Sequence, residues 1–253
     1  MSKKFRKLSV GFFARLFLLL LCVNLHAQTI RVGTGLYAPP FEMQADNKKN
    51  LYGFDIELMQ AICQRAGWQC QFKGMLFEQL FIELKDNTID LAISAISITS
   101  ERQKNFLFSL PYMASGGQFL TKSQSPINTI LDIRNQRVGI ERGTVFKQML
   151  QAQYQDAITI TDYATQQDVL NALSNDDVDA VLIDTGAAQY WVANNSGLFK
   201  AIGDSLPVGL GYGIMANPNR RDLIETVNKQ LLAMENDGDY LKLYSRYFGT
   251  LSL

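Results

Sequence analysis

The chain has 253 residues, 24 of them basic and 24 acidic, with three cysteines and a single histidine, His26. Five of the basic residues and none of the acidic ones fall within 1–27, which reads as an export signal, so the remainder carries 19 positive against 24 negative charges. That balance argues against nucleic acid and anionic membrane as partners, and losing His26 with the signal removes histidine acid–base chemistry and histidine metal ligation from the mature chain.

The signal reading rests on Lys3, Lys4, Arg6 and Lys7 as a basic start with Arg15 at its late edge, then an apolar run from Leu16 to Val23. Leu25-His26-Ala27 offers a small residue for cleavage near Ala27. The apolar run is too short to span a bilayer. Leu21 ahead of Cys22 is larger than a lipid-attachment site tolerates, so secretion is favoured over lipid anchoring.

Strand and helix patterns then alternate. "TIRVGT" reads as a strand, and "GFDIELMQAICQRAG" as an amphipathic helix with Ile56, Met59 and Ile62 on one stripe. "CQFKG" reads as a strand, "FEQLFIELKDN" as a helix, and "LAISAI" as a buried strand. After residue 120 the rhythm restarts: "RVGIE" strand, "TVFKQMLQAQY" helix, "ITITDY" strand, "QQDVLNALSN" helix, "AVLID" strand. Such alternation implies an α/β fold with parallel sheets flanked by helices. Pro111 and Gly116–Gly117 interrupt the first rhythm, and the glycine-rich "PVGLGYGIMAN" comes after the second. Two flexible crossings predict two lobes: 28–113 plus 214–253 as lobe 1, 118–206 as lobe 2, and hinge crossings at 114–117 and 207–213. Helices over roughly 219–248 should return to the first lobe.

Cys63 and Cys70 in "CQRAGWQC" have no second cysteine pair, which rules out a four-cysteine zinc site. Two separate buried thiols or one disulfide remain. The disulfide is preferred, because Gly67 can end a helix and turn the chain back, and an exported protein meets an oxidising compartment. Metal and cofactor sites are not expected.

The stretch "SAISITSERQKNFLFSLPY", Ser94 to Tyr112, sets Ser94, Ser97, Thr99 and the lone cation Arg102 between two apolar segments. A helix cap explains the hydroxyls; the arginine asks for more. In open α/β sheets ligands sit beyond the carboxyl ends of the strands. Just beyond the strand ends this chain places Gly35 and Tyr37, Phe77, Ser97 and Arg102, then Arg142, Gly143 and Thr144 at a helix start, and Asp184. One cation, one acid, hydroxyls and two aromatics suit a zwitterion.

The ordered segments "YAPPFE", "GFDIELMQAICQRAG", "IDLAISAISITSERQ", "FSLPY", "VGIERGT", "VDAVLID" and "DGDYLKLYSRYFG" resemble the periplasmic solute-binding proteins of polar amino-acid ABC importers, over essentially the whole mature chain. The resemblance implies a two-lobed periplasmic-binding-protein fold. It also implies capture of a free L-amino acid by a monomer, delivery to an inner-membrane ABC permease, and no enzymatic activity. By matching position it implies that Arg102 binds the ligand α-carboxylate, helped by Ser97 and by Thr144 at the helix N-terminus, that Asp184 takes the α-ammonium, and that Tyr37 and Phe77 sandwich the side chain, with Ser94 as a further ligand contact. The Cys63–Cys70 spacing matches a disulfide of several basic-amino-acid binders.

For the ligand, several basic binders place an aspartate in the loop after the first strand, where this chain has only "GTGLY". Against that stands Glu141, at a strand end that in the family faces the ligand side-chain terminus. Buried, it needs a cationic partner, and Arg142 is a poor one because adjacent strand residues point to opposite faces. Arginine is therefore favoured, with lysine and ornithine next. The alternatives are a glutamine or other polar amino-acid binder, and a cyclohexadienyl or arogenate dehydratase on the same fold.

Overall fold

The structure, a computed structural model, describes residues 27–44, 50–195 and 197–249; the export signal ahead of Ala27 lies outside the described residues. The strands are β1 (Thr29–Thr34), β2 (Tyr37–Ala38), β3 (Glu42–Gln44), β4 (Leu51–Tyr52), β5 (Gln69–Gly74), β6 (Leu91–Ala92), β7 (Leu107–Phe108), β8 (Gly116–Lys122), β9 (Arg137–Glu141), β10 (Thr159–Tyr163), β11 (Ala180–Asp184), β12 (Phe199–Pro207) and β13 (Met215–Ala216). The helices are α1 (Phe54–Ala66), α2 (Phe77–Lys85), α3 (Ser100–Gln103), α4 (Phe146–Tyr154), α5 (Gln166–Ser174), α6 (Thr185–Asn194), α7 (Arg221–Asp237) and α8 (Asp239–Phe248).

Two five-stranded sheets form, in the orders β5-β1-β6-β13-β7 and β10-β9-β11-β8-β12, with a small β2-β3-β4 sheet beside the first. In each large sheet β13 or β8 runs antiparallel to its neighbours, while β1 pairs in parallel with β5 and β6, and β9 with β10 and β11. The antiparallel members arise from the crossings. β8 enters the second sheet directly from lobe 1, and β13 returns to the first sheet from lobe 2, so each arrives from the opposite direction to a βαβ strand. Strict β-α-β alternation therefore overstates the parallel character, and the nine-residue strand β12 has no counterpart in it. The crossings run side by side: Val208 N donates to the Ser115 carbonyl at 3.1 Å and Tyr212 N to that of Met113 at 2.8 Å.

α1 buries Ile56, Leu58, Met59 and Ile62, and it stops where Gly67 adopts φ 68 and donates to the carbonyls of Cys63 and Gln64. That left-handed turn brings Cys63 and Cys70 to a Cα separation of 6.1 Å, joined as a disulfide. Arg142, as its strand position predicts, points away from Glu141 and pairs with Glu78 at 3.3 Å.

"LAISAI" departs from the predicted strand. Only Leu91 and Ala92 pair, and Ala95 sits at φ 42. The cause is Asp55 on α1, whose carboxylate accepts the Ala95 N–H at 2.7 Å and the Tyr112 hydroxyl at 2.9 Å. This fully buried acid takes the backbone donor that would have joined the sheet and turns the chain toward the space between the lobes. One apolar cluster runs on from Ile30 and Phe54 of lobe 1 into Val169 and Val181 of lobe 2, so the lobes are closed on each other.

Candidate functional site

The cleft between the lobes has two connected ends. At one end it is lined by Arg102, Ser97, Val145 and Phe146; at the other by Tyr37, Glu42, Ser94 and Glu141. Phe77, Ala95, Thr144 and Asp184 border both. All eight residues predicted from the sequence as ligand contacts, Tyr37, Phe77, Ser94, Ser97, Arg102, Glu141, Thr144 and Asp184, therefore meet in one cleft.

Arg102 lies on the one-turn helix α3, whose cap is the Thr99 hydroxyl accepting the Arg102 N–H at 3.3 Å. Its guanidinium stacks on Phe81 (4.8 Å to the ring centre) and Phe77 (5.6 Å). Nη1 donates to the Ser97 carbonyl at 2.9 Å, and Nη2 reaches across the cleft to the Gly143 carbonyl at 3.1 Å. Two of its five N–H donors are thus used, and a planar cation is held rigidly with others free. Burial pulls its pKa down to about 10, with nearby Asp184 opposing that, so it stays charged at neutral pH. Phe77 accordingly has a role that pattern reading did not give it, as a platform for the arginine as well as a wall of the cleft.

Asp184 ends β11, where its Oδ1 accepts the Tyr212 hydroxyl at 2.7 Å. Burial raises its pKa to about 6, against the Tyr212 hydrogen bond and Arg102, which favour the carboxylate. Glu141 ends β9. Burial first, then Asp184 and Asp168, push it up to about 8, and the Gln166 amide counters only in part. Thr144 turns its hydroxyl back to the Glu141 carbonyl at 2.7 Å, and α4 starts two residues later, so Thr144 belongs to the turn ahead of the helix.

Ser94 does not face Arg102. Its hydroxyl donates to Glu42 Oε1 and accepts the Gly35 N–H at 3.2 Å. Sequence reasoning does not single out Glu42, and places Glu141 as the only acid deep in the cleft beside Asp184. Coming after "YAPPF", Glu42 reads as a turn residue, and only the β2–β3 pairing, Ala38 opposite Glu42, turns it inward. Asp55 escapes for a similar reason: an acid in the first turn of a helix normally faces water. Among the described residues no group of histidine, cysteine, aspartate or glutamate side chains is arranged to hold a metal ion.

Residues 30–250 match the model of the bacterial extracellular solute-binding proteins, family 3. Over 225 residues the chain is 32% identical to the ABC transporter arginine-binding protein 1 of Escherichia coli K12, covering 88% of this chain and 91% of that protein. A histidine-binding periplasmic protein of Salmonella typhimurium is 30% identical over 235 residues, 87% of this chain and 88% of its own length. The crystal structure of an arginine third transport system periplasmic binding protein from Legionella pneumophila superposes with a TM-score of 0.84 at 42% identity, over 88% of this chain and 100% of that one.

Proposed function

The chain belongs to the bacterial extracellular solute-binding proteins, family 3, and from that premise we propose that it captures a cationic L-amino acid, arginine before lysine or ornithine, by closure of its lobes. The captured amino acid passes to an inner-membrane ABC permease, and the protein works in the periplasm as a monomer after cleavage near Ala27. The lobes are 28–113 plus 214–253 and 118–206, turning about the paired crossings at 114–117 and 207–213.

The observation that carries this reading is the polarity of the cleft. Arg102 stands alone at one end, where an α-carboxylate would take its free N–H groups. Asp184 stands between the ends for the α-ammonium. At the other end are acids and, among the described residues, no basic side chain. An amino acid laid along that axis with a cationic terminus meets an opposite charge at each of its three charged groups. A guanidinium between Tyr37 and Phe77 also gains cation–π energy and can pair flat with a carboxylate, which an ammonium cannot.

A thermal-shift screen of the mature protein against the common amino acids and ornithine tests it. A ligand binding only the folded state adds RT ln(1 + [L]/Kd), about 4 kcal/mol at a thousandfold excess. Arginine should give the largest shift, lysine or ornithine less, and glutamine least; glutamine outcompeting arginine would end the cationic assignment. The binding reading also requires no turnover of prephenate or arogenate, and release of aromatic product at an enzymatic rate would replace it with the dehydratase.

A further inference from the structure

Glu42 is 1% exposed, and among the described residues its Oε2 has no hydrogen-bond partner, although its side chain borders the cleft. Its place is built for it. A Cβ at Gly35 would lie 2.6 Å from Glu42 Oε1 and 2.6 Å from Ser94 Oγ, so only a residue without a side chain leaves the carboxylate its room. Glu141 borders the same end of the cleft from the opposite lobe.

Among the described residues the charged surroundings of the two glutamates are one-sided. Asp55 on α1 and Asp184 on β11 face Glu42, and Asp184 and Asp168 face Glu141. Among the described residues the basic side chains around the cleft are engaged elsewhere: Arg102 on Ser97 and Gly143, Arg142 on Glu78, and Lys147 on Asp162. Tyr112 and Tyr212 donate their hydroxyls to Asp55 and Asp184, while Glu42 takes only the Ser94 hydroxyl, on Oε1. Carboxylates crowded in a dehydrated space without a counter-cation cannot all stay ionised.

We propose that the closed cleft protonates Glu42 and Glu141 around any neutral ligand, and that a cationic ligand side chain discharges protons from this inter-lobe pair to solvent as it binds. The proposal rests on the cationic-ligand reading above and adds proton coupling to it. The direction of both pKa values agrees: burial raises Glu42 well above the ordinary glutamate range, with Asp55 adding to it and the Ser94 hydrogen bond opposing, and burial takes Glu141 to about 8. The side-chain cation supplies the charge that lets the carboxylates ionise.

Calorimetry of the mature protein in buffers of different ionisation enthalpy tests this, with L-arginine and its uncharged isostere L-citrulline titrated at several pH values. Arginine should release about one proton near neutral pH, and its affinity should fall by up to about tenfold per pH unit from pH 8 to pH 6. Citrulline should release none; if its binding is too weak to titrate, Glu42→Gln supplies the contrast by cutting the proton release on arginine binding by at least half. Arginine binding without proton exchange, or undiminished release in Glu42→Gln, overturns the proposal while leaving the ligand assignment standing. Failure of arginine to bind at any pH removes the assignment and the proposal together.

Discussion

Both lobes use the same clamp at the base of their sheets. In lobe 1 the Arg31 backbone N–H, Nε and Nη2 all bind the Asp90 carboxylate at 2.8, 2.9 and 2.9 Å. In lobe 2 Arg137 binds Asp179 by the same three atoms at 2.9, 3.0 and 2.7 Å. The surroundings differ. The Asp90 side chain is 10% exposed and takes a further bond from Arg220 at 3.0 Å, whereas that of Asp179 is 30% exposed. Lobe 1 also has the disulfide and an aromatic cluster in which Phe54 meets Tyr112, Tyr240, Tyr244, Tyr247 and Phe248. One topology has thus been built as a braced half and a lighter half. The braced lobe carries the rigid cation Arg102, while the lighter lobe brings Glu141 and Asp184 to it.

The largest expected effect breaks the electrostatic side of that comparison. Arg102→Ala should weaken binding of every amino-acid ligand by about a hundredfold or more, since a charge-assisted anchor of roughly 1.5–3 kcal/mol goes and a ligand carboxylate is stranded. Calorimetry on the variant should show this while the thermal transition of the empty protein stays in place; affinity within threefold of wild type would refute the anchor role.

Next comes the covalent brace. Cys63→Ser with Cys70→Ser should lower stability by about 2–3 kcal/mol on the chain-entropy view of so short a loop, read from denaturant midpoints. Proteolysis under mild denaturant should then shift in lobe 1 and not in lobe 2.

The lighter half is probed by Glu141→Gln. Arginine affinity should drop by about tenfold, near 1.4 kcal/mol, with glutamine affinity little changed because beside a neutral ligand Glu141 is protonated and resembles the amide that replaces it. Equal losses for both ligands would mean that Glu141 shapes the cleft without reading the side chain.

The smallest effect is the difference between the two clamps, about 1 kcal/mol. Asp90→Ala should cost about 2 kcal/mol and Asp179→Ala about 1 kcal/mol or less, because the more exposed pair is screened by water. Burial works to raise Asp90, but its bonds from Arg31 outweigh it, and Arg137 likewise holds Asp179 down, so both carboxyls titrate below their ordinary value. Their contributions should be complete above the unfolded-state pKa of about 4 and vanish as pH falls through the folded values. An acid titration in which the two variants converge on wild type at low pH would confirm the sign.

Much of this design is legible in the chain. Arg102 stands out as a lone cation between apolar segments, and Asp184 as an acid ending a strand of otherwise buried residues. The helices show in their apolar stripes, and Gly67 in its place after one. The hidden parts depend on contacts distant in sequence. Asp55 looks like an ordinary first-turn acid until Ala95 and Tyr112 arrive from 40 and 57 residues away. Glu42 looks like part of a proline turn until β2 pairs with β3. The reversed strands β8 and β13 carry no distinctive period, since their direction is set by the route of the crossings.

Gly35 carries a further consequence, for how this pocket can change over generations. Because the Glu42 carboxylate and the Ser94 hydroxyl both occupy the space a side chain at position 35 would need, the three sites are epistatic: a residue larger than glycine at 35 is harmful while both stand, and becomes admissible only once Glu42 is shortened and the Ser94 hydroxyl gives way. Single-step drift at position 35 is therefore disfavoured, and a lineage that moves its carboxylate from one loop to the other must first change its neighbours at 42 and 94. Libraries meant to alter ligand preference should randomise the three codons together.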